Sequence, residues 1–386
     1  MGYTSPIRKF VNPEIVYGSG ALGLVGQYAR TYEARRVLVV SDPGVIAAGW
    51  TGRVIASLDK AGIESVLFSS VSSNPRDSEV MSGAELYHNS GCDAIIVVGG
   101  GSPMDCAKGI GIVSTNQCHI LECEGVDQVA HPMPPLICIP TTAGSSADVS
   151  QFAIITNSAE QVKIAIISKS TVPDVALIDP ETTTTMDAYL TACTGMDALV
   201  HAIEAYVSNA SSPLTDLHAL QAVRLISSNL LTAIAEPYNL AARDAMMLAS
   251  LEAGLAFSNA SLGAVHAMSH SLGGFFDLPH GECNALLLDH VVAYNFQAAV
   301  ERYRDIAVAM DIAASGLTPE QCLAALTGAI HNLRTQAGIT TSLRAVGVTA
   351  ANIPALARKA MKDACMVTNP RRPTAADIEA IYEQAL

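Results

Sequence analysis

The chain has 386 residues, two to three times an ordinary domain length, so it folds around one or two sizeable cores and needs no disulfide framework. Half of its residues are hydrophobic and only 15% are charged, which excludes a disordered chain. With 22 Lys plus Arg against 36 Asp plus Glu, the net charge of −14 repels phosphate backbones and anionic membranes, so nucleic acid and membrane surfaces are not expected partners.

In the first half, short β-branched runs alternate with helical patterns. Arg36 to Ser41, Ala94 to Val98, Leu136 to Ile139 and Val175 to Ile178 read as buried strands. Each stops at residues that break a strand: Asp42-Pro43, Gly99-Gly100-Gly101, Pro140-Thr141-Thr142 and Asp179-Pro180. Between them Trp50 to Lys60, Asp77 to Ser90 and Met104 to Val113 carry helical spacing, which predicts a doubly wound α/β unit with a parallel sheet. Phe152 to Ile155 and Lys163 to Ile167 read as a hairpin. Beyond Asp179-Pro180, Ala, Leu, Met and His recur at helical spacing to the end. The expected organisation is an α/β domain over residues 1–180 and an all-helical domain over 181–386.

Nine scattered cysteines, odd in number and without a CxxC pair, point to reduced thiols and a cytoplasmic setting. The segment Met1 to Lys9 has no apolar signal core, and Pro6 stands where a myristoylation site needs Ser or Thr.

Three motifs carry chemistry. Gly99-Gly100-Gly101 follows a predicted strand and Ser102-Pro103-Met104 opens a helix, an arrangement that lets a diphosphate approach backbone N–H groups, or simply a tight turn. It is neither a Walker loop nor the GxGxxG fingerprint. The hydroxyl-rich Thr141 to Ser146 ends another strand at the same edge. Asp42 ends the first predicted strand, where a carboxylate either accepts from a ribose diol and repels a 2′-phosphate or caps the turn before Pro43. The histidines are the sharpest signal: four of ten lie within residues 266–290. Asp197 and His201 are spaced i,i+4, as are His266 and His270, and His280 follows in a Leu-Pro-His-Gly break. Imidazoles with one carboxylate suit Fe(II) or Zn(II) better than Mg(II) or Ca(II).

These stretches, GGGSPMD at 99–105, PTTAGSSADVS at 140–150, GMDALVHAIEAY at 195–206, GAVHAMSHSLGG at 263–274 and LPHG at 278–281, resemble the iron-dependent (group III) alcohol dehydrogenases, the group that holds the 1,3-propanediol and lactaldehyde reductases. The resemblance implies a Rossmann-like domain joined to a helical domain in a dehydroquinate synthase-like architecture. It implies a metal, Fe(II) or alternatively Zn(II), on Asp197, His201, His266 and His280, with His270 moving a proton. NAD(H) would lie between the halves, its diphosphate on Gly99, Gly100, Gly101 and Ser102, its nicotinamide side lined by Thr141, Thr142 and Lys163, and Asp42 favouring NAD over NADP. Gln151, Phe257 and Cys365 fall where the family builds its substrate pocket. The implied activity is hydride transfer between nicotinamide and a small alcohol or aldehyde of the ethanol, 1,3-propanediol, lactaldehyde or sulfoacetaldehyde type. A homo-oligomer, dimer or larger, is also implied. A regulatory homologue with little turnover is the competing reading.

Overall fold

The computed structural model describes residues 7–386, so the reading of the first six residues lies outside it. The N-terminal half contains strands β1 (Glu14–Tyr17), β2 (Arg36–Val40), β3 (Glu64–Phe68), β4 (Ala94–Gly99), β5 (Gly125–Val126), β6 (Leu136–Pro140), β7 (Phe152–Asn157), β8 (Val162–Ile167) and β9 (Val175–Ile178). Its helices are α1 (Val25–Thr31), α2 (Pro43–Ala47), α3 (Trp50–Lys60), α4 (Asp77–Asn89) and α5 (Gly101–Asn116). Six strands form a parallel sheet in the order β1-β9-β6-β4-β2-β3, and β5, β8 and β7 form a separate small sheet in which β7 and β8 pair antiparallel.

The four strands legible in the sequence, β9, β6, β4 and β2, are the central ones. Covered on both faces, they read as unbroken apolar runs, and β4 and β6 are buried at every position. The two that sequence reading missed, β1 and β3, are the edges; each exposes polar residues such as Glu14 and Glu64 and so lacks a continuous apolar signature. Parallel strands place all their carboxyl ends on one side of the sheet, where the turns after β2, β4 and β6 gather and where α/β proteins bind ligands.

A 3₁₀ turn over Pro180–Thr185 leads from β9 into a helical half: α6 (Ala188–Val207), α7 (Pro213–Ala235), α8 (Leu240–Ala260), α9 (Ala264–Phe276), α10 (His280–Asn295), α11 (Val300–Ala309), α12 (Pro319–Gln336), α13 (Ile353–Ala360) and α14 (Ala375–Ala385). Helix α6 is buried from Thr191 to Val207 apart from Thr194, an all-round burial that fits its Ala-rich, nearly charge-free sequence. The two acids it does bury, Asp197 and Glu204, need partners, and both find them at the same place. The buried Lys108 of α5 joins the halves of the first domain by donating to the carbonyls of Ser150 and Phe152, both at 2.8 Å. Among the described residues, no helix is long and apolar enough to cross a membrane.

Candidate active site

Between the sheet edge and the helical half runs a cleft of about 1100 Å³. One wall is the turn between β4 and α5. Gly100, Gly101 and Ser102 line the cleft, whereas Gly99 is buried as the last residue of β4. The close approach that Gly101 permits is first of all to protein: a Cβ there would lie 2.9 Å from the Cβ of Ser145 in the turn after β6, so the two turns pack against one another only without it. The α5 N-terminus is thereby left open to the cleft with its backbone donors uncapped by any side chain. Thr141, Thr142 and Lys163 line the same space. Burial pulls the Lys163 ammonium below its ordinary pKa. Asp42 also lines the cleft, and its Oδ1 accepts from the Val45 N–H at 3.0 Å, so it caps α2 while facing the cleft.

At the inner end, four side chains from three helices converge. Asp197 and His201 share one face of α6, His266 sits in the first turn of α9 and His280 opens α10. Ligating atoms of Asp197, His201 and His266 lie within 4.8 Å of one another. The Nε2 of His280 is 3.7 Å from Oδ1 of Asp197, and that of His266 is 3.8 Å from it. The His201 ring stacks between Phe257, at 4.3 Å, and His266, at 4.5 Å.

The polar groups behind these side chains decide which ring nitrogen faces inward. His201 Nδ1 donates to the Gly144 carbonyl at 3.1 Å, and His266 Nδ1 bonds Glu204 at 2.7 Å, which leaves both Nε2 lone pairs for the centre. Glu204 also accepts from the backbone N–H groups of Gly263 and Val265 at 3.0 and 2.6 Å, so one carboxylate caps α9 and aims its first histidine. Asn284, one turn after His280, donates to Asp197 at 2.6 Å with its amide nitrogen 3.2 Å from Nε2 of both His266 and His280. Burial pushes His201 down and His266 and His280 well down from the usual imidazole pKa, so all three are neutral near pH 7, the form that ligates. Burial raises Glu204 to about 7 against the lowering effect of its backbone donors.

One carboxylate and three neutral imidazoles, with two of the rings oriented by outer hydrogen bonds and His280 Nδ1 buried without a protein partner, fit a borderline divalent cation such as Fe(II) or Zn(II). Asp197, His201, His266 and His280 themselves line a chamber of about 70 Å³ whose wall also includes Asp105, Phe152, Ile154, Phe257 and Leu262 and, among the described residues, no Lys or Arg. His270 lines both the chamber and the cleft, with its ring stacked 5.2 Å from that of His280.

Of the three residues expected in the substrate pocket, the structure puts Phe257 on the wall and turns the other two away. The Gln151 amide donates to the Ser258 carbonyl at 2.6 Å, tying the start of β7 to α8. Cys365 is fully buried behind His270, and burial raises its thiol well above the ordinary range. Sequence reasoning also missed Glu204, Asn284, Asp363 and Asp105. The first two carry a signal, since Glu204 follows His201 by three positions and Asn284 follows His280 by four, on the same helical faces. Asp105 lines the cleft with its carboxyl raised to about 7, chiefly by burial.

Two family models divide the chain between them: iron-containing alcohol dehydrogenase over residues 12–180, and the C-terminal part of the Fe-containing alcohol dehydrogenase family over 191–386. The chain is 42% identical over 371 residues to the 1,3-propanediol dehydrogenase of Citrobacter freundii, covering 96% of each protein. Its fold is similar to the crystal structure of a 1,3-propanediol oxidoreductase, with a TM-score of 0.95, 40% identity and coverage of 99% of this chain and 100% of that one. It is similar as well to the sulfoacetaldehyde reductase of Bifidobacterium kashiwanohense, solved in complex with NAD+, with a TM-score of 0.86, 30% identity and coverage of 98% and 99%. Matched along nearly its whole length, the chain belongs to the iron-containing alcohol dehydrogenase family and is an oxidoreductase of alcohols and aldehydes.

Proposed function

We propose that this protein interconverts a short, uncharged alcohol and its aldehyde with NAD(H), using Fe(II) held by Asp197, His201, His266 and His280. The observation that carries the reading is that a single cleft contains the open N-terminus of α5 at one end and Asp197, His270 and His280 at the other. Residues 1–180 then serve as the NAD-binding domain and 181–386 as the metal-binding domain, a division supported by the last sheet strand ending at Ile178 and by the first family model ending at residue 180 and the second beginning at 191.

When bound, the ion supplies Lewis-acid polarisation of the substrate oxygen and the nicotinamide carries the hydride. The protein's own residues do the rest. Gly100, Gly101 and Ser102 present the α5 N-terminus to the diphosphate, and Thr141, Thr142 and Lys163 line the nicotinamide side. Asp42 accepts from the adenosine ribose diol and repels a 2′-phosphate. Phe257 and its apolar neighbours exclude water from the reacting carbon. His270 Nε2 takes the hydroxyl proton during oxidation and returns it during reduction.

The chamber is small, about 70 Å³, and its wall includes the four residues that would hold the ion, which leaves room for a substrate of only a few heavy atoms. With no Lys or Arg side chain on its wall among the described residues, and with Asp105 there, it favours an ethanol- or 1,3-propanediol-type substrate over an anionic aldehyde such as sulfoacetaldehyde. Nine unpaired cysteines support a reducing, cytoplasmic setting. The open side of edge strand β1, with Leu217 and Tyr238 71% and 80% exposed elsewhere on the surface, supports a homo-oligomer.

The test is steady-state kinetics on anaerobically purified, Fe(II)-loaded protein with NADH and a panel of neutral and anionic short aldehydes. Turnover of neutral C2–C4 aldehydes that chelation abolishes and Fe(II) restores is the expected result. Activity insensitive to chelation, or confined to anionic aldehydes, overturns the proposal.

A further inference from the structure

His270 has a partner that the proton-transfer reading alone does not supply. Its Nδ1 lies 2.8 Å from Oδ2 of Asp363, a residue 93 positions away in the turn between α13 and the short 3₁₀ segment Ala364–Thr368. Both side chains are buried, the imidazole 4% and the carboxyl 9% exposed. Asp363 is itself held: its other oxygen, Oδ1, accepts from the Cys365 N–H at 2.8 Å, so neither oxygen is free to turn. The ring lines both the cleft and the chamber, and among the described residues nothing hydrogen-bonds its other nitrogen, Nε2.

We infer that Asp363 is a positioning residue for His270: by accepting Nδ1–H it fixes the tautomer whose Nε2 lone pair faces the substrate, and it stabilises the ring once Nε2 has been protonated. The inference rests on the proton role proposed for His270 and adds the group that makes the role directional. In alcohol oxidation the O–H bond breaks and its proton goes to Nε2, while the hydride leaves the carbinol carbon for the nicotinamide. Nδ1 keeps its hydrogen on Asp363 throughout, and the proton on Nε2 leaves through the cleft. In an Asn at position 363 the Cys365 N–H retains the amide oxygen, so the amide nitrogen takes the place of Oδ2 and donates to Nδ1, which puts the ring hydrogen on Nε2.

The experiment measures kcat, KM and iron content for Fe(II)-loaded Asp363→Asn, Asp363→Glu, His270→Ala and the double variant Asp363→Asn/His270→Ala. Asp363→Asn should lower kcat at least about tenfold, with the alcohol KM within about twofold and iron per chain unchanged. Asp363→Glu, which keeps the carboxylate, should recover part of that loss. In the His270→Ala background Asp363→Asn should cost nothing further, because the two groups act as one unit. Additive losses, a wild-type kcat in Asp363→Asn, or a loss that follows iron content in both Asp363 variants overturns the inference while leaving the His270 reading standing. A wild-type kcat in His270→Ala overturns both.

Discussion

Glu204 shows how much one buried carboxylate can organise. It accepts from three backbone N–H groups at the start of α9 and sets the ring of His266 by the Nδ1 bond, so helix start and ring orientation are fixed together. Glu204→Ala should therefore weaken iron retention about 10- to 100-fold, measured as metal content after dialysis against a weak chelator. Its cost to folding should appear as a lowered melting temperature in the chelated protein as well. Asp42 offers the opposite case, a side chain with two separable duties. Asp42→Gly should raise kcat/KM with NADPH relative to NADH, while the lost cap on α2 costs only a few tenths of a kcal/mol. The convergence of Asp197, His201, His266 and His280 was expected from short motifs that resemble a family, two of them with i,i+4 spacing and one a Leu-Pro-His-Gly break. Asp363 was not, because it lies 93 positions along the chain from the ring it touches and nothing local marks it.

The same limit operates at the level of elements. Central strands announce themselves by continuous apolar runs; β1 and β3 are edges, half open to solvent, and their mixed composition hides them. Turns behave similarly. The run Thr141 to Ser146 reads as a polar loop, yet it is the seam between the domains: the Gly144 carbonyl orients His201, and a Cβ at Gly144 would lie 2.5 Å from the Thr194 carbonyl oxygen in α6. Because the obstacle is backbone, Gly144→Ala must push the turn away from α6. The expected outcome is a destabilisation of about 1–3 kcal/mol in chemical denaturation together with reduced iron content.

For the molecule as a whole, the buried histidines couple folding to pH. His201, His266 and His280 have pKa values lowered by burial, whereas in the unfolded chain each titrates near 6.5. Below that value the unfolded state binds more protons than the folded one, so stability falls with falling pH, by up to about 1.4 kcal/mol per pH unit for each ring. The buried carboxyls of Glu204 and Asp105, raised to about 7, work in the opposite sense, so the histidine contribution is read as a difference: between pH 6.5 and 5.5 the melting temperature of the chelated wild type should fall more, or rise less, than that of chelated His280→Ala. The Fe(II)-loaded protein should resist over the same acid range, because the ion stabilises only the folded form. Two halves were legible from the change of texture near residue 180, and a site between them was what the family resemblance implied. The depth of the cleft was not, since it depends on how the halves are bridged, in part by the Asn74 amide donating to Asp277 at 2.6 Å across its mouth.

That bridge gives α9 the character of a measuring rod. Thirteen residues long, or about 20 Å, it begins at the inner chamber with His266 and ends beside Asp277, which lines the cleft. Extending it by one residue after His266 would rotate everything beyond by about 100° and carry His270 off its bearing. Its length is therefore a fixed dimension of the enzyme, and natural insertions in relatives should gather in the flanking turns and leave this span uncounted.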